Sequence, residues 1–374
     1  MPSAVEWLEG LSPWPEEFGL GRMRELLGAL GDPQAAYPAI HVVGTNGKTT
    51  TTRMAEALLQ GDGVRTGAYT SPHVTGWAER IRLDGAEVDV ERALARVRPQ
   101  AEELGATQFE ALTAAALAEF AEGRVEVAVV EAGLGGRHDA TNVLRAPVVV
   151  LTNVALEHTE VLGRTREEIA REKLAVIQPG AIVVLGEPEW EPLCRENGAQ
   201  GVVLASANLA LALAAVESFL GRPVDATPAE ELELPGRLER VGEAPLEIRD
   251  GAHNLAGIGH LLARVPSADY VLVVSILEDK DVRGMLAALS ALGGQLVATT
   301  SSNPRALPAG DLGAVAEPYF ARVEVVESPE HALIRAREAA GAEGAVLVTG
   351  SLYLVADLAS VRPAGLPWQA SASG

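Results

Sequence analysis

Short apolar runs alternate with helix-like stretches along most of the chain. Residues 37–43, 125–132 and 147–154 form runs rich in β-branched residues, which are typical of strands buried in a parallel sheet. Helix-like stretches lie at about residues 50–60 and 165–178. Because strands alternate with helices, the pattern predicts a doubly wound, mostly parallel α/β sheet.

The alternation is interrupted between residues 225 and 245, in a segment rich in Pro, Glu and Gly. A chain of 374 residues is also long for a single hydrophobic core. We therefore predict two α/β domains, a larger one over residues 1–235 and a smaller one over 236–374, with a loose tail from Pro363 onward. In the second domain, strands are predicted at 270–276, 295–300 and 345–350, and helices at 281–291 and 329–340.

Composition narrows the functional class. The formal charge of −21, with no basic run, predicts that the protein binds neither nucleic acid nor a membrane surface. No signal peptide is evident, and the apolar stretch 205–220 is interrupted by Asn208 and Glu217, so it predicts a buried helix rather than a membrane span. The single cysteine, Cys194, excludes an internal disulfide and a Cys-based metal cluster. We expect a cytoplasmic, monomeric enzyme.

Lysine is rare in this chain. Of 30 basic residues only three are lysines, namely Lys48, Lys173 and Lys280. Codon composition accounts for an excess of arginine. A lysine that persists against this bias still suggests a task that arginine cannot perform, because an ammonium group is a compact charge and can react when deprotonated. Each lysine is therefore a candidate functional residue.

The segment GTNGKTT separates a predicted strand from a predicted helix. Its glycines allow a tight turn around an anion, a helix N-terminus offers free N–H groups, and Lys48 can reach the terminal phosphates of a nucleotide. The spacing is shorter than that of the usual P-loop, because Val42 occupies the position of the first glycine. A turn that merely links strand to helix is the alternative. The residues predicted to bind phosphate are Gly44, Thr45, Asn46, Gly47, Lys48, Thr49 and Thr50.

Two further polar residues follow predicted strands. Glu131 ends one strand, and His158 follows another. Because ligands bind beyond the carboxyl ends of strands in open α/β sheets, both are expected near the phosphate loop. Carboxylate and imidazole suit a divalent ion beside phosphates, most simply Mg²⁺. Each residue alone has an ordinary alternative, a solvated glutamate or a structural histidine.

Lys173 lies in a predicted helix that begins with the capping box of Thr165 and Glu168 and stops at Pro179. A solvated helix face is one interpretation of this lysine. Near a metal cluster a charged lysine would be repelled, so a position there requires an uncharged or chemically modified amine.

Together these residues carry a resemblance to a known family. The sequence is similar to the folylpolyglutamate synthase/dihydrofolate synthase family of the Mur ligase superfamily, whose members form amide bonds with ATP. The similarity extends through nearly the whole chain. Its motifs include HVVGTNGKTT (41–50), TSPHVTGWAERIRLDG (70–85), TQFEALTAAALAEF (107–120), EAGLGGRHDATNV (131–143), LTNVALEHTEVLGRTREEIAREK (151–173), PGRLE (235–239), DGAHN (250–254), LEDKD (277–281) and TGSLYLV (349–355).

The resemblance implies a P-loop-type larger domain and a Rossmann-like smaller one. Lys48 and its loop match the residues that hold the ATP phosphates. Asn208 matches an asparagine that contacts adenine, and Arg237 and Asp250 match residues that contact the nucleotide. His253 lies in the same motif as Asp250 and is a candidate catalytic residue.

The resemblance also implies metal ligands. Ser71 and Glu131 match ligands of Mg²⁺, His158 matches a ligand of a second ion, and Thr49 or Thr50 supports the metal from the loop. Lys173 matches a lysine that the family carbamylates, which converts a cation into a carboxylate-like ligand and removes the repulsion noted above.

The implied reaction joins L-glutamate to a folate, or to dihydropteroate, through an acyl phosphate. ATP and Mg²⁺ at two sites are the implied cofactors. The catalytic residues would be Lys48, Lys173, His158, Arg237 and His253. The residues that match the pterin-binding positions are Thr107, Gln108, Phe109, Glu110, His138, Asp139 and Ala140.

Two alternatives stay open at this level. A peptidoglycan-precursor Mur ligase is favoured by Thr49, where the folate enzymes usually have glycine. Those ligases usually carry a separate domain before the loop, whereas 43 residues precede Gly44 here, and the TSPH and TQFE motifs favour folate. A non-catalytic ATP-binding regulator would need the loop but not Lys173, Arg237 or Asp250.

Overall fold

The computed structural model describes residues 2–361, so the predicted loose tail from Pro363 lies outside the described residues. The chain divides into two compact units, Met1–Leu232 and Glu233–Gly374. Each is built on a mostly parallel sheet, which confirms the predicted fold class. Within the described residues no helix is long and apolar enough to cross a membrane.

The larger unit contains an eight-stranded sheet in the order β4-β3-β2-β5-β1-β6-β7-β8. The six neighbouring strands β2, β5, β1, β6, β7 and β8 pair in parallel. At one edge of the sheet, β3 and β4 add antiparallel pairs that the sequence pattern did not reveal. The strands are β1 (Ala39–Val43), β2 (Thr66–Tyr69), β3 (Ile81–Leu83), β4 (Ala86–Glu87), β5 (Val127–Glu131), β6 (Val148–Leu151), β7 (Ile182–Leu185) and β8 (Gly201–Leu204).

Helices cover both faces of this sheet. Ile40 and Val42 of β1 pack with the helices that follow β1 and β8, whereas Ala39 and Val43 face the opposite layer. This alternation gives the doubly wound arrangement that the sequence predicts. The helices are α1 (Ala4–Glu9), α2 (Gly21–Ala29), α3 (Lys48–Gly61), α4 (Val90–Glu103), α5 (Gln108–Glu122), α6 (Thr159–Leu162), α7 (Arg166–Leu174), α8 (Glu191–Glu196), α9 (Asn208–Leu220) and α10 (Thr227–Glu230).

Two predicted helices have different bounds in the structure. The helix predicted over 165–178 has the expected capping box at Thr165 but ends at Leu174. The chain leaves the helix there because Val176 and Ile177 pack into the core beside β6 and β7. The helix predicted within 205–220 begins at Asn208, since Ala207 has φ +70°, outside the helical region.

The smaller unit contains a six-stranded sheet in the order β13-β12-β11-β14-β10-β9, in which only β9 is antiparallel to its neighbour. The sequence pattern missed β9, which lies within the predicted break. The strands are β9 (Glu239–Glu243), β10 (Leu246–Arg249), β11 (Tyr270–Val274), β12 (Gln295–Ala298), β13 (Arg322–Val325) and β14 (Ala345–Thr349). The helices are α11 (Leu255–Leu262), α12 (Val282–Leu289), α13 (Ala309–Ala316), α14 (Pro329–Ala340) and α15 (Leu352–Asp357).

Candidate functional site

The phosphate loop connects the carboxyl end of β1 to the first turn of α3. Gly44 and Gly47 have φ values of +147° and +83°, which glycine adopts without strain. Gly47 is the N-cap of α3, and no side chain caps this end. The first N–H groups of α3 are therefore not occupied by a capping side chain, which is the arrangement expected of an anion-binding helix terminus.

The segment after β6 braces this loop. The backbone N–H of Thr45 donates to the carbonyl of Asn153 (2.9 Å), and the backbone N–H of Asn46 donates to Asn153 Oδ1 (3.0 Å). Asn153 Nδ2 donates in return to the carbonyl of Asn46 (3.0 Å), and the N–H of Ala155 donates to Thr45 Oγ1 (3.0 Å). Sequence reasoning missed Asn153, although its position just beyond a strand next to β1 was a usable signal.

Both loop glycines lie against other parts of the fold. A Cβ atom on Gly44 would lie 1.8 Å from Thr152 Oγ1, and a Cβ atom on Gly47 would lie 2.5 Å from Asn208 Oδ1. The structure thus brings Asn208, the first residue of α9, directly against the phosphate loop, although 160 residues separate it from Lys48 in the sequence. Its predicted contact with adenine stays a prediction.

Gly47→Ala is expected to abolish detectable ATP binding while the protein stays folded. The added methyl group must displace Asn208 from the loop, and the left-handed backbone adds strain of about 1–3 kcal/mol. Gly31→Ala is the matched control, because Gly31 also has φ +83° but a Cβ atom there would have nothing within 4 Å. ATP titration by calorimetry and thermal melting check both variants. Equal ATP affinity in the two variants would contradict the role of Gly47.

Three residues from two segments, the start of α3 and the loop after β2, converge on the Glu131 carboxylate. Thr49 Oγ1 donates to Glu131 Oε1 (3.1 Å), and the backbone N–H of Ser71 donates to Glu131 Oε2 (3.1 Å). Lys48 Nζ lies 4.0 Å from Glu131 Oε1 and donates to the carbonyl of Thr45 (3.2 Å). Glu131 is 1% exposed. Of the two hydroxyls left open by the sequence, that of Thr49 is the one that donates to Glu131.

These groups fit a magnesium–nucleotide complex. A buried carboxylate next to hydroxyl-bearing residues supplies the oxygen ligands that Mg²⁺ prefers, and an ion bound to phosphates keeps several waters and needs few protein ligands. Within residues 2–361 no cluster of three or more His, Cys, Asp or Glu side chains could hold a metal by itself. The candidate ligand set therefore depends on Ser71, Thr49 and the state of Lys173, as well as on Glu131.

Lys173 is buried beside the phosphate loop. It is 5% exposed, and its Nζ donates to the carbonyl of Gly44 (2.8 Å). Burial, with a smaller contribution from the positive charge of Lys48, lowers the pKa of Lys173 to about 7. The interpretation of Lys173 as part of a solvated helix face is wrong, because the exposed positions of α7 are taken by residues such as Arg171.

His158 lies in the loop that follows β6. It is exposed, has φ +50°, and is the N-cap of α6. Since β5, β1 and β6 are adjacent and parallel, Glu131, the phosphate loop and the His158 loop all leave the sheet at one edge. The prediction that Glu131 and His158 lie at the same sheet edge as the phosphate loop is confirmed. Metal binding by His158 stays a prediction.

The predicted pterin-binding residues at the start of α5 also have structural roles. Thr107 and Glu110 form the capping box of α5, and Glu110 Oε2 also accepts from Arg22 Nε (2.7 Å). Gln108 Nε2 donates to the carbonyl of Leu8 (3.2 Å). Phe109 packs next to the segment after β5, because its ring would be 2.5 Å from a Cβ atom on Gly133, two residues beyond Glu131.

The second predicted pterin-binding segment is the turn after β5. His138 is exposed, whereas Asp139 and Ala140 are buried. Asp139 Oδ2 accepts from the backbone N–H of Leu134 (2.7 Å), and burial raises the pKa of this carboxyl. The turn also packs on α7, since a Cβ atom on Gly136 would lie 2.5 Å from the carbonyl oxygen of Lys173.

In the smaller unit, three predicted residues lie around the end of β10. Asp250 accepts from the backbone N–H groups of Leu238 and Ala252, both at 2.9 Å. Burial raises the pKa of Asp250, and the positive charge of Arg237 opposes this shift. His253 Nδ1 lies 2.9 Å from the carbonyl oxygen of Gly251. Arg237, Asp250 and His253 thus form one local cluster within this unit.

Comparison with known proteins defines the class. Residues 42–190 match the Mur ligase middle domain, and residues 236–352 match the Mur ligase glutamate ligase domain. Together the two matches cover most of the chain. They define an ATP-dependent ligase of the Mur type, consistent with a phosphate loop in the first unit and a second α/β unit.

Similar proteins narrow the class further. The chain is 32% identical to dihydrofolate synthase/folylpolyglutamate synthase of Escherichia coli, over 96% of this chain and 95% of that protein. Folylpolyglutamate synthase of Mycobacterium tuberculosis complexed with ADP has a TM-score of 0.87 and 32% identity, covering 95% and 96% of the two chains. The bifunctional enzyme of Yersinia pestis complexed with AMPPNP and Mn has a TM-score of 0.85 and 30% identity, covering 96% and 97%. The chain belongs to the dihydrofolate synthase/folylpolyglutamate synthase family.

Proposed function

We propose that this chain is an ATP-dependent ligase that adds L-glutamate to a folate, and that it also accepts dihydropteroate. The relatives from Escherichia coli and Yersinia pestis named above carry both activities in their names. The observation that supports the proposal most strongly is the convergence of Lys48, Thr49 and Ser71 on the buried Glu131 carboxylate, at the open N-terminus of α3. This arrangement suits a bound nucleotide and its metal ion.

The phosphate loop positions ATP. Backbone N–H groups at the start of α3 point towards the phosphates, and the Lys48 ammonium neutralises charge on the terminal phosphate. Asn153 fixes the loop from behind by paired hydrogen bonds to Asn46, so the loop loses little conformational entropy when ATP binds. Asn208 closes the side of the loop at Gly47.

Glu131, Ser71 and Thr49 would hold Mg²⁺, which would supply positive charge against the phosphates and the acceptor carboxylate. Lys173 joins this set once its amine is carbamylated. The buried position and lowered pKa support this modification, because only a neutral amine reacts with CO₂. The N–H that remains after carbamylation can still donate to the carbonyl of Gly44.

The reaction has two steps. An oxygen of the acceptor carboxylate attacks the γ-phosphorus of ATP and ADP leaves, which gives an acyl phosphate. The amine of L-glutamate then attacks the acyl carbon, inorganic phosphate leaves, and the amine gives up a proton as the amide forms. In this scheme Lys48 stabilises charge during the first step, and Arg237, Asp250 and His253 of the smaller unit serve the nucleotide and the second step.

The finer assignments belong to the proposal. Residues 1–235 form the ATP-binding domain and 236–374 the C-terminal ligase domain. Thr107–Glu110 and His138–Ala140 approach the pterin, and His158 would hold a second ion. The protein acts as a monomer on small molecules and does not act on nucleic acid.

The reaction products distinguish a folate ligase from a peptidoglycan-precursor ligase and from a non-catalytic regulator. Purified protein is incubated with ATP, Mg²⁺ and L-glutamate, and either tetrahydrofolate or dihydropteroate, and the products are weighed by mass spectrometry. Addition of one or more glutamyl groups, with stoichiometric ADP release, supports the proposal. ATP consumption that requires a nucleotide-linked peptidoglycan precursor instead, as the residue Thr49 alone would favour, contradicts it. ATP binding without any product would indicate a regulator.

A further inference from the structure

A buried chain of side chains links the centre of β1 to the turn after β5. His41 Nε2 lies 2.8 Å from Thr141 Oγ1, and Thr141 Oγ1 donates to Asp139 Oδ1. His41 is 1% exposed, Thr141 0% and Asp139 5%. The three side chains are therefore shielded from water, and their hydrogen bonds depend on one another.

The order of the protons follows from the donors available. The Asp139 carboxylate accepts from the N–H of Leu134, the N–H of Thr141 and the hydroxyl of Thr141. These three donors oppose the effect of burial, which raises the pKa of Asp139, and they satisfy an ionised carboxylate. The single hydroxyl proton of Thr141 is thus used towards Asp139, so Thr141 Oγ1 must accept from His41. His41 is consequently the neutral tautomer with its proton on Nε2. Burial supports the neutral form, since it lowers the pKa of His41 to about 4.

The His41–Thr141–Asp139 hydrogen bonds connect the strand that leads to the phosphate loop with the turn proposed to bind the pterin. His41 precedes Gly44, the first residue of the phosphate loop, by three positions on a rigid strand. Asp139 organises the turn that begins just after Glu131 and contains His138 and Ala140. The order of contacts is therefore phosphate loop, β1, His41, Thr141, Asp139 and the turn.

Helix α7 forms a second connection between the phosphate loop and the turn after β5. Lys173 Nζ donates to the carbonyl of Gly44, while the backbone of Lys173 packs against Gly136 in the same turn. The backbone N–H of Arg137 also donates to the carbonyl of Glu172 (3.1 Å). The turn is thus held to the phosphate loop on one side by α7. On the other side the His41–Thr141–Asp139 chain ties its far end to β1.

We propose that His41 and Thr141 are positioning residues that fix the Asp139 turn relative to the phosphate loop, and so set how the pteridine end of the acceptor is held when its carboxylate faces ATP. This inference rests on the proposed ligase function. Neither residue touches a reacting atom; both act through Asp139. Their contribution is expected in the binding of the folate acceptor and not in the binding of ATP.

The hydroxyl of Thr141 is the link that can be removed with least change in shape. Thr141→Val is expected to raise KM for the folate acceptor about tenfold, because both Asp139 and His41 lose a buried partner. KM for ATP should stay within about twofold, since Lys173 still holds Gly44. Thr141→Ser keeps the hydroxyl and should restore most of the affinity for the acceptor.

Thr66→Val is the matched control. Thr66 is 0% exposed in β2, and its Oγ1 accepts from Gln60 Nε2 (3.0 Å), so this variant also deletes a buried hydrogen bond in the same unit. If the Thr141 effect came only from general destabilisation, Thr66→Val would raise both KM values in the same way. Thermal melting of each variant identifies any that does not fold.

The tautomer of His41 is measured without substrate. ¹⁵N NMR of histidine-labelled protein, with the His41 signal assigned by its absence in His41→Gln, should show Nε2–H and unprotonated Nδ1 at about pH 6, where an ordinary histidine is largely charged. In Thr141→Val this signal should shift.

An unchanged acceptor KM in Thr141→Val, equal rises in both KM values, failure of Thr141→Ser to recover, or a proton on Nδ1 of His41 would each overturn the inference. If the unsubstituted protein makes no glutamylated product, the ligase proposal fails separately, because the NMR measurement does not depend on activity.

Discussion

Lys48→Ala is expected to lower kcat/KM for ligation roughly a thousandfold without unfolding the protein. Lys48 is the first residue of α3, is partly buried, and holds its ammonium between the carbonyl of Thr45 and the Glu131 carboxylate. In phosphoryl transfer the protein contributes mainly position and charge, so the loss of this cation removes stabilisation where charge develops. Removing the side chain leaves no cavity in the core, which is why the fold should persist.

Lys48→Arg separates charge from shape. A guanidinium is planar and larger than an ammonium, and the space between Thr45 and Glu131 suits the smaller group, so this variant should also be strongly impaired. ADP release in steady state, together with thermal melting, measures both variants. Near-normal turnover of folded Lys48→Ala would refute the phosphate-loop role.

Lys173→Ala is expected to lower turnover about a hundredfold or more, with partial recovery when a short-chain carboxylate such as acetate is added. The loss has two causes. The loop carbonyl of Gly44 loses its buried partner, and the metal set loses the carbamate oxygens. A free carboxylate can enter the space left by the side chain and replace only the second contribution, so recovery should be incomplete.

The carbamate itself can be observed directly. ¹³C NMR of protein equilibrated with ¹³C-labelled bicarbonate should show a carbamate signal that is absent in Lys173→Ala. Because burial lowers the pKa of Lys173 to about 7, the reactive neutral amine becomes more abundant as pH rises from about 6 to about 8, and the signal should increase over that interval.

Arg171→Ala provides the control for Lys173. It is a basic residue on the same helix, but it is exposed and pairs with Glu167 and Glu196 at the surface. Its turnover should match that of the unsubstituted protein. Full activity of an unmodified, magnesium-loaded protein would count against the carbamate and leave the hydrogen bond to Gly44 as the role of Lys173.

Features encoded over a few neighbouring residues were predictable. The phosphate loop follows from glycines, a lysine and a strand–helix context within GTNGKTT, and the capping box at Thr165 follows from T-x-x-E spacing. These depend on backbone geometry within one or two turns. The end of α7 was not predictable in this way, because it is decided by the burial of Val176 and Ile177 against strands.

Contacts between distant segments were beyond the sequence pattern. Asn153 and Asn208 reach the phosphate loop from more than 100 residues away, and Thr141 meets His41 across 100 residues. A lone Thr or His carries no local signal of such a partner, and the position of Asn153 beyond a strand indicates only which edge of the sheet it lies at. For Lys173 the sequence left a solvated and a buried interpretation open, and only packing against Gly44 and Gly136 decides between them.

The sequence by itself determined that this is a mostly parallel α/β protein with a glycine-rich turn of the kind that binds phosphate and three lysines set within its motifs, because alternation, glycine spacing and residue chemistry are local properties. The sequence also placed Glu131 and His158 at the sheet edge of that turn, but the tertiary structure alone decided that Asn153, Asn208 and Lys173 contact the turn. Burial then sets the chemistry of those groups: it brings Lys173 towards a neutral amine and orders the protons from His41 to Asp139.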